Sequence, residues 1–75
     1  MEPVRGEGEE SALRIQRGAD RICTLILTAD YPAVDVAIER ARLREECRRL
    51  LPDRLALYDM VYESRFDRLW AQFRS

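Results

Sequence analysis

Pro32–Leu51, PAVDVAIERARLREECRRLL, is the stretch on which the architecture turns. On an ideal helix of 3.6 residues per turn, Val34, Ala37, Ile38 and Ala41 share one side, and Val36, Leu43, Cys47 and Leu50 share a side nearly opposite. A surface helix normally carries a single apolar stripe, so two stripes predict two things to bury against. Between them Arg40, Arg44 and Arg48 stand in a column four residues apart. Like charges at that spacing repel by roughly 0.2–0.5 kcal/mol per pair, so acids are expected beside the column.

The segment before it has a helical period from about residue 12 to 29, with Ser11 as N-cap. Ile15, Ala19, Ile22, Ile26 and Ala29 fall on one face, and Arg14, Arg17, Arg21, Thr24 and Thr28 on the other. The β-branched cluster Ile22–Thr28 offers a strand as the rival reading, but only the helical period spans the whole segment. Gly18 weakens this helix by about 1 kcal/mol relative to Ala. Leu13, Leu25 and Leu27 lie off the main stripe, more apolar width than one neighbour covers. The link Asp30-Tyr31-Pro32 is short, and Pro disfavours the helical conformation at the residue before it.

The segment after it reads as a helix from about 53 to 73, entered through Pro52. Leu55, Tyr58, Tyr62, Phe66, Leu69 and Phe73 form one stripe, with Trp70 at its margin. Asp59, Glu63 and Asp67 form an acidic column on the flank. Pairing Arg48 with Asp59, Arg44 with Glu63 and Arg40 with Asp67 gives a constant residue sum of 107, as an antiparallel hairpin turning at Pro52–Asp53–Arg54 requires. Both columns reach one flank only if the third helix packs on the Val36/Leu43/Cys47/Leu50 stripe. The first helix is then left to cover Val34, Ala37, Ile38 and Ala41.

The expected fold is therefore all-α: three antiparallel helices, about 12–29, 32–51 and 53–73, joined by short Pro-containing turns in one domain over 11–75. With its neighbours on opposite sides, the middle helix leaves each of them partly uncovered, and a second chain is the simplest cover, giving a helical homodimer. A closed three-helix monomer is the alternative. Residues 1–10, MEPVRGEGEE, hold two Gly, one Pro and five charged residues and read as a disordered acidic tail.

At 75 residues the chain has only a small core to stabilise it. The net charge of −1 supplies no overall field for nucleic acid or an anionic membrane. All thirteen basic residues are Arg, and there is neither Lys nor His. Codon bias accounts for this as readily as a demand for bidentate guanidinium contacts does. Cys23 and Cys47 form no CxxC motif, and without His there is no zinc spacing; they read as small half-buried side chains in a reducing compartment. An acidic N-terminus without an apolar core gives no signal-peptide pattern, and the longest apolar run is far short of the roughly 20 residues of a membrane span. The expected location is the cytoplasm.

No catalytic constellation emerges. Ser11, Ser64 and Ser75 have no evident base, and Glu45 and Glu46 diverge by about 100° on a helix. There is no Gly-rich phosphate loop, and no cofactor is implied. The leading reading is a helical protein-interaction or regulatory module that self-associates, with Leu13, Leu25, Leu27 and Trp70 as its interaction surface. The second is a nucleic-acid-associated regulator using Arg42, Arg49 and Arg54, the basic residues of this region outside the ladder. The third is an anion-binding helical enzyme.

Overall fold

The computed structural model describes residues 3–28 and 30–74, with side chains from Glu9 onward. Every regular element among them is helical: α1 (Pro3–Leu27), α2 (Ala33–Leu50), a 3-10 turn (Pro52–Arg54), α3 (Leu55–Tyr58), a π-helical turn (Asp59–Glu63) and α4 (Ser64–Phe73). From Pro52 onward the last four follow one another without a break.

α1 buries the stripe its period predicts: Ile15, Ala19, Ile22 and Ile26 are all in the core, while Ala29 lies outside the described residues. Its backbone starts at Pro3, not near Ala12, so it is helical through most of the stretch read as a tail. α1 ends at Leu27, where Thr28 N–H turns back to the Leu25 carbonyl and Tyr31 N–H to that of Thr28. Pro32 is extended, at φ −62° and ψ 140°, and caps α2 from outside it.

Of the two stripes on α2, only one is covered. Val36, Leu43 and Cys47 are buried, whereas Val34 is 64% and Ile38 44% exposed, with Ala37 and Ala41 exposed between them. α1 does not take the second stripe as expected. It approaches α2 on the same side as the third helical stretch: a Cβ placed on Gly18 would stand 2.5 Å from Leu43 Cδ1. Gly18, weak for a helix, is what allows α1 this close to Leu43. α1 also packs directly on α4, so Ile22, Ile26 and Phe66 meet in one core with Tyr58. The closed alternative describes this core; the arrangement with α2 as a central divider does not. One shared core buries each helix on a single side and leaves the second stripe of α2 in solvent.

The Arg–acid ladder exists with its register moved by one turn. Arg44 pairs with Asp59 and Arg40 with Glu63, a residue sum of 103, while the Arg40–Asp67 contact keeps the predicted sum of 107. Arg48 turns instead to Glu45 on its own helix. The cause is the position of the break. Leu51, the single residue between α2 and Pro52, is non-helical, at φ −138° and ψ 64°, and Pro52–Arg54 is already the first turn of the next stretch. The chain therefore reverses at Leu51, not across Pro52–Arg54.

The π turn changes the third stripe. A π turn takes up one residue more than an α turn, so residues beyond Glu63 are rotated back by about one position. Tyr58 and Phe66 are buried as predicted, but Phe73 is 54% exposed. Trp70, read as marginal, packs against the core, and Arg74 takes the inward position after it.

Candidate functional site

The structure brings the charged residues of α2 into two opposed sets. On the flank facing α1, Glu39 receives Arg21 at 2.9 Å and Glu46 receives Arg14 at 2.6 Å. On the flank facing the third stretch, Arg44 reaches both oxygens of Asp59, through Nε and Nη2, each at 2.8 Å. Arg40 there joins Glu63 and Asp67, its guanidinium 5.2 Å from the centre of the Phe66 ring. Burial works against the Arg40 charge, but hydrogen bonds to Glu63 and Asp67 outweigh it and raise its pKa. The Asp59 carboxyl is held below its ordinary value by its hydrogen bonds to Arg44. These groups are satisfied by one another and form structural pairs.

With the flanks committed, the unused chemistry lies on two apolar surfaces. The first is the outer side of α2, where Val34, Ala37, Ile38 and Ala41 are bare. The acids around it are engaged elsewhere: Glu39 and Glu46 go to α1, and Glu45 to Arg48. Arg42 and Arg49 are left without an ion pair among the described residues and line a shallow groove with Ile38, Ala41, Glu45 and Glu46. The second surface lies on the other side of the bundle, between α1 and the third stretch. Ala12 and Ile15 stand across from Leu57, Tyr58, Val61 and Tyr62 around a cavity of about 160 Å³ floored by Cys47 and Leu51, with Arg54 in its lining. Met60, 67% exposed, belongs to the same exposed helical face as Leu57 and Val61.

The Tyr58 hydroxyl, beside this cavity, is buried near the Glu63 carboxylate without reaching hydrogen-bonding geometry. Burial, then the Glu63 charge, push its pKa well above the usual phenol range. Burial likewise raises the pKa of the Cys23 and Cys47 thiols, which are unpaired with each other; Arg65 beside Cys23 offsets only part of that rise. Neither thiol has the lowered pKa of a nucleophile.

The residues expected to form one interaction surface are not gathered. Leu25 and Trp70 pack against the core, and Leu13 and Leu27 are exposed near opposite ends of the buried part of α1. The three expected anion contacts also divide: Arg42 and Arg49 share the outer face of α2, whereas Arg54 belongs to the groove on the other side. Sequence reasoning missed Arg74. Its guanidinium stacks 4.9 Å from the Trp70 ring and donates to the carbonyls of Leu25, Ile26, Thr28 and Tyr31. Leu25 and Ile26 belong to the last turn of α1, where carbonyls run out of helical partners, and Thr28 and Tyr31 to the link after it, so Arg74 ties the end of α1 to that link. No local signal marks it.

Among the described residues no helix is long and apolar enough to cross a membrane, and no three His, Cys, Asp or Glu side chains converge as a metal site requires. Compared with protein-family models, curated proteins and solved structures, the chain matches none, so a functional reading rests on these surfaces alone.

Proposed function

We propose that the chain is an antiparallel three-helix module of the cytoplasm that works by protein association, first with a second copy of itself. The observation that carries this reading is the bare stripe Val34, Ala37, Ile38 and Ala41 on the outer side of α2. An apolar stripe facing away from the core of so small a protein gains most by being covered. The groove beside Leu57 and Val61 supplies a second place where a partner's apolar side chain fits. The free thiols suit a reducing compartment. Sedimentation equilibrium across micromolar concentrations tests the reading. A dimer whose melting temperature rises with protein concentration is the expected result. A monomer with a concentration-independent melting temperature would overturn it.

A further inference from the structure

Resting on that self-association reading, we infer that two copies of the chain pack α2 against α2 across a two-fold axis near Ile38, with Asp35 of each copy opposite Arg42 of the other. The argument begins from the helix wheel. At 100° per residue, with the buried Val36 as zero, Val34, Ile38 and Ala41 lie within about 40° of the outward direction. Ala41 is small and exposed, which leaves room at that end of the stripe for Val34 of a second copy. The stripe occupies the N-terminal half of α2; the outer side of the C-terminal half carries Glu45, Arg48 and Arg49. A second helix running the same way would set charge beside like charge along its length. One running the opposite way about a two-fold axis covers apolar residues with their own copies.

The charges that remain fit only the second arrangement. Asp35 and Arg42 are two turns apart, on the same edge of the stripe, about 20° from one another around the helix. Neither makes an ion pair within the chain among the described residues, although most of the other acids and bases of α2 do. A two-fold axis perpendicular to two helices brings the same edge of each together. Residues then face when their numbers share a constant sum. Ile38 facing itself, Val34 facing Ala41 and Asp35 facing Arg42 agree within one residue either side of 76. The apolar centre and both charge pairs are thus satisfied by a single register, and the symmetry makes each pair occur twice.

The test uses the full chain with sedimentation velocity, and circular dichroism to confirm that helix content is unchanged. Arg42→Glu alone sets an acid against Asp35 at both contacts, and Asp35→Arg alone sets a base against Arg42 at both. Each variant is expected to raise the dissociation constant about tenfold or more. Mixing the two variants in equal amounts restores an acid opposite a base at both contacts of a mixed dimer. Near wild-type affinity is expected for that dimer, as is recovery in the double variant Asp35→Arg/Arg42→Glu. Failure of the mixture to recover overturns this register. A dimer insensitive to Ile38→Glu but lost in Met60→Glu overturns the α2 interface and moves self-association to the groove, leaving the broader reading in place. A wild-type chain that stays monomeric overturns both.

Discussion

The two flanks of α2 are built differently. Against α1, the contact is a close approach at Gly18 with isolated ion pairs at its edge; Arg14 and Arg21 remain largely in solvent. Against the third stretch, the contact is aromatic, with Tyr58 and Phe66 fully buried, and Arg40 is drawn in over the ring. The charge order is also reversed. α2 offers acids to α1 and bases to the third stretch, so exchanging the two neighbours would set Arg against Arg and acid against acid. Exposed pairs stabilise little, and their larger effect here is to exclude the exchanged arrangement. The pair of flanks together specifies which helix lies where.

The sharpest way to break that comparison is Phe66→Ala. Phe66 is fully buried where α1, α2 and α4 meet, and truncating such a ring costs about 3–5 kcal/mol. For a domain of this size that is a large share of the total stability, and chemical denaturation should show a midpoint shifted far down or no folded baseline at all. A loss no larger than that of a surface substitution would mean that the aromatic contact does not hold the second flank together.

Next in size is Arg40→Ala set beside Arg21→Ala. Removing Arg40 strands the half-buried Glu63 and uncovers the Phe66 ring, for an expected loss of about 1–3 kcal/mol. Arg21 stands mostly in solvent and covers no ring, so its removal is expected to cost about 0.2–1 kcal/mol. Equal losses in urea denaturation would erase the distinction between the flanks.

How far this contrast was legible in the sequence differs by residue. The buried faces of α1 and α2 were legible because Ile15, Ala19, Ile22 and Ile26, and Val36, Leu43 and Cys47, repeat over several turns of one helix. The Arg–acid match between α2 and the third stretch was legible as a pattern, but its register hung on which residue breaks the chain, and Pro52 acts on Leu51 before it, not on the residues after it. The destination of α1 was not legible. The outer stripe of α2 invited a neighbour, yet apolar residues inside the fold and apolar residues outside it look alike in a sequence. The π turn carries no composition signal, so the exchange of Phe73 for Trp70 and Arg74 at the core could not be anticipated. Asp35 and Arg42, the pair on which the proposed dimer depends, became visible only once Glu39 and Glu46 were seen to point to α1.

A third test asks whether the two neighbours of α2 support one another. Arg74, at the end of the third stretch, holds the carbonyls at the end of α1, so Arg74→Ala should cost on the order of 1 kcal/mol. Hydrogen exchange should localise the loss to the last turn of α1, with amides around Leu43 unaffected. Loosening spread evenly over all three helices would mean that Arg74 acts through the core and not as a cap.

The smallest effect is in the acid limb, and its sign follows from Asp59. Hydrogen bonds to Arg44 hold the carboxyl below its ordinary value in the folded chain. A depressed folded pKa means that the unfolded chain takes up a proton first as pH falls. The stabilisation is therefore complete above the unfolded value, near pH 4, and is lost progressively as pH drops through the folded value. Melting temperatures measured from about pH 6 to pH 2 should fall less steeply for Asp59→Asn than for the wild type. Both curves should shift together when other exposed carboxylates titrate, so the difference between them isolates this one. Added salt should shrink that difference, because the pair is exposed and screened. Parallel curves at low salt would mean that the second flank holds through its aromatic contacts alone, with the Arg44–Asp59 pair serving only to exclude the exchanged arrangement.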